Sequence, residues 1–348
     1  MKVVFLLEAG IPSYRNFLFN YLNEQPEITD FLVIHTGRIY NHKEGNYKDK
    51  KIPFVGSNKL GFHLSLSMWR ELRKADVIIA SYNLRIITCW LPCFAFKSKL
   101  IFWGKGLGEK ESPLVKGLRA FTAKRCSKLL VYNDEKRRQI IDKLNISEDK
   151  VVAYQNTIRI DNPMNCGDYE KKYFLYFGRL QERKGIFELI EQYSNYVKEV
   201  KYPKYNLRIV GDGEIKDGLI KKVNELSLGR YVEFFPGVYE EENIFEHFKN
   251  AVYYVSPFNV GLSVVNSFSY GIPILTCTSP QVGPEYYYLN ESNSIRVEKL
   301  ADFSYIFEQI ENQKIIDEDK VYEFYLNTLD YTIMESNFLN TILSVNNE

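Results

Sequence analysis

The chain has 348 residues, 45% of them hydrophobic, more than one core ordinarily serves and enough for two domains. Its five cysteines (89, 93, 126, 166, 277) are odd in number and form no paired CxxC motifs, which excludes a disulfide framework and leaves them expected as reduced and structural. The net charge of +1 hides a split: residues 1–150 hold 26 Lys and Arg against 15 acids, +11, and residues 151–348 hold 19 against 29, −10. A front half of that sign suits an anionic surface.

In chain order, the first apolar run, VVFLL (3–7), stops at Glu8. It is too short for a signal segment or a membrane span, and is expected to be the first strand of a cytoplasmic protein. FLVIH (31–35), VIIAS (77–81), LIFW (100–103), LLVY (129–132) and VVAY (151–154) follow, unalternating and rich in Val, Ile and Leu, as strands buried on both faces should be. Helical patterns fall between them at 13–24, 63–74, 84–96, 113–127 and 134–144. The fourth, within PLVKGLRAFTAKRCSKL (113–129), interleaves basic and apolar residues at helical spacing. It is read either as a basic amphipathic helix whose Lys116, Arg119, Lys124 and Arg125 meet anionic lipid headgroups, or as a solvated helix.

The second half repeats the scheme with YFLYF (173–177), LRIVG (207–211), VEFFP (232–236), VYYVS (252–256), IPILT (272–276) and SIRV (294–297). Helices are expected near 184–199, 214–227, 241–250 and 262–270, with the last ones from about 316. Strand and helix in alternation mean a parallel sheet covered on both faces. The fold class expected is therefore α/β, with two doubly wound Rossmann-like domains, 1–158 and 173–328. Residues 159–172 read as a linker, rich in polar residues, Pro and Gly without periodicity. The tail 329–348 reads as a helix returning to the first domain. Two such domains would put the carboxyl ends of both sheets on one cleft.

Chemistry concentrates after the strands of the second half. YFLYF runs into Gly178, Arg179 and Lys184 ahead of a helix, and two cations beside a helix N-terminus suit phosphate. Gly211-Asp212-Gly213 is a tight turn through which backbone can approach a ligand, or an ordinary strand-to-helix turn. Asp212 and Glu214 have no second acidic cluster to complete an oxygen cage, and the histidines (35, 42, 63, 247) lack metal-like spacing. No metal and no cofactor is expected, and no nucleic-acid partner.

The order GRLQERKG, IVGDG, FFPGV, SPFNVGLSVVNSFSYGIPIL, GPE resembles the carboxyl-terminal half of family 4 (group 1) retaining glycosyltransferases. AGIPSYRNFLFNYL, IFWGKG and YQNTI in the front half are similar to a bacterial branch that builds surface polysaccharides. The resemblance implies the GT-B fold, with the acceptor bound by the first domain and the nucleotide sugar by the second. It implies that Arg179 and Lys184 hold the donor diphosphate and that Gly10 lets phosphate approach the first domain. Lys105, where related sequences often carry His, would stabilise developing charge. Tyr14 and Arg15, in the loop entering the first helix, are candidates for the acceptor or else part of a helix face.

The chain departs from that pattern in one loop. Two glutamates eight positions apart, contacting sugar and ribose in the family, are here Phe258 and Asn266, and no acid occurs between Glu246 and Glu285. Asn266 can still bond a ribose hydroxyl. Sugar contacts then fall to backbone N–H groups of Asn259, Val260, Gly261 and Leu262, to the Asn259 side chain, or to Glu285, with Gly211 expected to let backbone approach the donor. The family is thought to react by front-face substitution, with the leaving diphosphate taking the acceptor proton, so the chemistry needs phosphate charge stabilised more than a carboxylate nucleophile. The expectation is a retaining glycosyltransferase acting on a lipid-linked glycan at the inner membrane face. The alternatives are an inactive nucleotide-sugar-binding or scaffold protein and a sugar-nucleotide epimerase.

Overall fold

The computed structural model describes residues 1–38, 45–57, 60–108, 112–278, 283–313 and 316–346. The chain divides into two compact units, Met1–Arg159 with Tyr331–Glu348, and Ile160–Asp330.

In the first unit the strands are β1 (Lys2–Leu6), β2 (Asp30–His35), β3 (Lys48–Lys51), β4 (Phe54–Gly56), β5 (Gly61–His63), β6 (Val77–Ser81), β7 (Leu100–Gly104), β8 (Lys128–Val131) and β9 (Val151–Ala153). Seven of them form one parallel sheet in the order β3-β2-β1-β6-β7-β8-β9. Side chains of β1 alternate between two cores: Val4 and Leu6 face Met68, Leu72 and Phe102, while Val3 and Phe5 face Phe19, Phe31 and Phe338. A sheet buried on both faces needs apolar residues at successive positions, which is why these strands read as continuous apolar runs. The order reverses at β1 and β6, so the carboxyl ends of these two neighbours and of β7 are where a ligand would sit.

Three features of this unit do not follow the expected pattern. β3, with sequence KDKK, is an exposed edge strand whose charges blunt its open side, so it carries no apolar signal. β4 and β5 make a separate antiparallel pair. The expected helix 84–96 is two single turns, Ile87–Trp90 and Pro92–Ala95, interrupted where Pro92 has no N–H to continue the first.

The second unit holds β10 (Tyr173–Phe177), β11 (Asn206–Val210), β12 (Val232–Phe235), β13 (Ala251–Ser256), β14 (Ile274–Cys277) and β15 (Ser294–Val297). These form a parallel sheet in the order β12-β11-β10-β13-β14-β15, with its reversal at β10 and β13. The stretch expected as a linker is bonded into this unit: Met164 N–H donates to the Ser269 carbonyl and Cys166 N–H to the Tyr270 carbonyl, both at 3.0 Å. A helix absent from the sequence reading, Phe303–Asn312, packs on the helix Ile186–Val200, with the Phe307 ring centroid 5.7 Å from that of Tyr196, and on β10, 4.4 Å from that of Phe174.

The helix Glu318–Phe324 continues as a π-helical turn, Tyr325–Leu329. After Asp330 the chain rejoins the first unit as the helix Tyr331–Asn346. Its buried stripe, Met334, Phe338, Ile342 and Val345, has the spacing of one helix face and joins the core around Phe5. Among the described residues no helix is long and apolar enough to cross a membrane.

Candidate functional site

At the ends of β10 and β11 the backbone takes conformations that favour glycine. Gly178 has φ +146° and Gly211, after β11, has φ +156°. A Cβ on Gly211 would lie 1.9 Å from the Gly178 carbonyl oxygen, and one on Gly213 2.0 Å from the Leu180 carbonyl oxygen. The GRL and GDG segments therefore lie backbone against backbone, joined by Leu180 N–H donating to the Asp212 carbonyl at 3.0 Å. Asp212 fastens the next turn as well. Its carboxylate accepts from Gly237 N–H at 2.7 Å and pairs with Lys216 at 2.9 Å; the Lys216 ammonium and that N–H hold its pKa below the ordinary value. Gly211 is thus required by packing, and Asp212 by the loop.

Lys184 closes a short helical turn, Glu182–Lys184, and Gly185, with φ +70°, starts the helix Ile186–Val200. The side chain turns inward and its Nζ donates to the Asn259 carbonyl. Burial lowers the Lys184 pKa to about 8; Arg183 adds to the effect and Glu285 opposes it. Arg179 is exposed, and its carbonyl accepts from the buried Tyr176 hydroxyl at 2.9 Å.

The loop after β13 closes over Lys184. A Cβ on Gly185 would lie 2.6 Å from the Phe258 ring and 3.0 Å from Pro257 Cβ, so Phe258 covers the start of the helix. Gly261, with φ +62°, faces both Lys184 Nζ and Asn259 Oδ1, each 3.8 Å from where its Cβ would be. On the far side, a Cβ on Gly283 would lie 2.8 Å from Glu285 Oε2 and 3.2 Å from Asn259 Oδ1. Glu285, 8% exposed in the short turn Pro284–Tyr288, is thereby gathered with Asn259 and Lys184.

Val260 contributes backbone only, for its side chain is core and its carbonyl lies 3.5 Å from the Tyr254 hydroxyl. Leu262 is half-buried and leads into the helix Ser263–Ser269. On that helix Asn266 is 6% exposed, and its Oδ1 has no hydrogen-bond partner among the described residues. A buried amide oxygen in that state is what a ligand hydroxyl would satisfy.

In the first unit Gly10 N–H donates to the Arg38 carbonyl at 2.7 Å, and a Cβ there would lie 2.8 Å from the same oxygen. Glycine is needed for the loops after β1 and β2 to meet. Lys105 is exposed directly after β7, and Tyr14 is exposed beneath the Arg15 guanidinium.

Arg15, expected either as an acceptor ligand or as part of a helix face, is turned into the protein. It is 3% exposed, donating to the Thr157 carbonyl at 2.9 Å and to Asn156 Oδ1, with Met334 Sδ at 3.3 Å. Its charge is spent on fastening the 156–157 loop and the last helix to the first unit.

Sequence reasoning passed over Glu8 and Asn83. Each is the polar residue just beyond a strand, and Asn83 Nδ2 donates to Glu8 Oε2 at the carboxyl ends of β1 and β6. His35 pairs with Asp49 at 2.8 Å. His63 meets the Thr88 hydroxyl at 2.8 Å, and burial lowers its pKa to about 4. His42 lies outside the described residues. Among the described residues no group of three or more His, Cys, Asp or Glu is placed to hold a metal ion.

Residues 167–298 match the family model described as glycosyl transferases group 1, so the second unit carries a domain of that kind. An uncharacterized glycosyltransferase of Haemophilus influenzae is 25% identical over 240 residues, 65% of this chain. The match covers 66% of that relative, just under two thirds of its length. Among solved structures, the apo form of the lipopolysaccharide outer core galactosyltransferase WaaB covers 99% of both chains at 16% identity, with a TM-score of 0.67. Anabaena Alr3699/HepE in complex with UDP covers 99% of this chain and 100% of its own at 15% identity, with a TM-score of 0.68. At that identity the likeness shows the fold, which is the α/β GT-B fold.

Proposed function

We propose that this chain is a retaining, metal-independent glycosyltransferase. It moves a sugar from a nucleotide diphosphate sugar to a lipid-linked glycan in surface polysaccharide biosynthesis, at the inner face of the cytoplasmic membrane. The observation that carries the reading is Lys184, drawn inward onto the Asn259 carbonyl beside Glu285 at the end of β10. A buried ammonium beside Gly261 suits the charge of a leaving diphosphate. Arg179, exposed nearby in the same GRL turn, supplies a second cation.

In this reading the acceptor oxygen bonds to the anomeric carbon on the face from which the carbon–phosphate-oxygen bond breaks. The electron pair leaves with the phosphate oxygen, which takes the acceptor proton. No carboxylate nucleophile is needed, consistent with Phe258 in the place of an acid. Glu285 and Asn259 bind sugar hydroxyls, Asn266 Oδ1 accepts from a ribose hydroxyl, and Lys105 meets the transferred group. Uridine diphosphate is the proposed nucleotide, supported by the UDP held by Alr3699/HepE.

The test is nucleotide release from a panel of UDP-sugars. Turnover of one donor is expected, falling about a hundredfold in Arg179→Ala or Lys184→Ala, with Glu285→Gln changing which sugar is preferred. Tight nucleotide binding without turnover of any donor would overturn the enzyme reading in favour of the non-catalytic binder.

A further inference from the structure

The helix Pro113–Lys124 does not present the face its charges suggest. Arg119, expected among its lipid-facing cations, is buried with its guanidinium 5.1 Å from the centre of the Tyr82 ring. Turned outward instead are Leu114, 84% exposed, Gly117, whose Cβ would meet nothing within 4 Å, and Phe121. Phe94, half exposed on the neighbouring turn, extends this apolar strip, its ring centre 5.9 Å from that of Phe121. Arg125 lies over both rings, at 5.2 and 5.5 Å.

Lys116 and Lys124 flank the strip and are exposed. The stretches that form the strip, 77–108 and 112–133, contain no acid, while Glu109 and Glu111 precede the helix in sequence. An outward apolar strip with cations at its rim is complementary to a bilayer of anionic lipid. The rings and Leu114 enter the acyl boundary while the lysines and Arg125 stay among the phosphates.

We infer that the strip formed by Phe94, Leu114 and Phe121, with Lys116, Lys124 and Arg125, is a membrane-docking face that inserts apolar side chains into anionic bilayers. It deepens the proposed lipid-linked acceptor and rests on that reading for its purpose. Binding and donor turnover are measured separately, so either can fail alone.

The full chain is sedimented with vesicles of phosphatidylcholine alone and with one third phosphatidylglycerol. Binding to the anionic vesicles is expected, with affinity falling about tenfold or more in Leu114→Ser/Phe121→Ser. A similar fall is expected in Lys116→Glu/Lys124→Glu. Leu64→Ser/Leu66→Ser, at another exposed apolar outcrop of the unit, should bind as the parent does. Thermal melts confirm folding of each variant. Three outcomes overturn the inference: no binding by the parent, a Leu114/Phe121 variant that binds unchanged, or a parent dimer that the same substitutions dissociate, which would make the strip an interface between copies.

Discussion

Lys184 carries a charge that the fold makes costly and a phosphate would reward. Burial, with Arg183 adjacent, lowers its pKa to about 8 from the ordinary 10.5. The unfolded chain therefore holds this proton up to a higher pH than the folded one. Between about 8 and 10.5 the unfolded state binds more protons, and this group's contribution to stability rises with pH across that window. Binding has the opposite sense. A diphosphate needs the ammonium, so affinity for UDP should weaken as pH rises through 8, by up to about tenfold per unit. Calorimetric titration at pH 7 and 9 should show that loss in the parent and not in Lys184→Gln, whereas equal slopes would remove Lys184 from the phosphate site. The cations were legible as residues next to a strand end. Their states were not, because whether a Lys points in or an Arg such as Arg15 is occupied by a carbonyl depends on partners far along the chain, here Thr157 at the other end of the unit. Phe258 is similar: the absence of an acid was plain, but its contact with Gly185 follows from a positive φ that no side-chain pattern encodes.

Elements were legible in proportion to their burial. Strands packed on both faces declare themselves as apolar runs, and all six of the second sheet fall within a residue or two of their expected places. β3 does not, because an edge strand is free to be KDKK, and Phe303–Asn312 does not, because its aromatic residues are weak helix formers held by packing on Phe174 and Tyr193. The GDG turn shows what an element can demand of one residue. Gly211 combines φ +156° with an oxygen 1.9 Å from any Cβ, so Gly211→Ala must push the GRL segment aside. A loss of about 2 kcal/mol or more is expected in urea melts, with nucleotide affinity falling as Gly178 and Arg179 shift. Gly117→Ala, on a helix face open to space, is the counterpart that should gain slightly, since helical glycine costs backbone entropy. Equal effects at the two glycines would show that the turn relaxes freely.

At the scale of the whole chain, the two units differ in charge and in what closes them. The positive half belongs to the first unit, but that unit is completed by residues from the far end of the sequence, the helix Tyr331–Asn346. Its Phe338 touches Phe5, Trp103 and Tyr154, with ring centres 5.1 to 6.3 Å away, so the last residues complete the cover that Phe19 and Phe31 begin on that face of the first sheet. Removing that ring leaves a cavity beside three aromatic neighbours, at a cost of about 3–5 kcal/mol. The cost should fall on one unit. Calorimetry of Phe338→Ala should lower one unfolding transition by several degrees and leave a second in place. On the proposed reading that UDP is held by Lys184 and its neighbours in the other unit, UDP should raise the second transition in parent and variant alike. A single transition that moves as a whole would mean that the second unit depends on the terminal helix for its own stability.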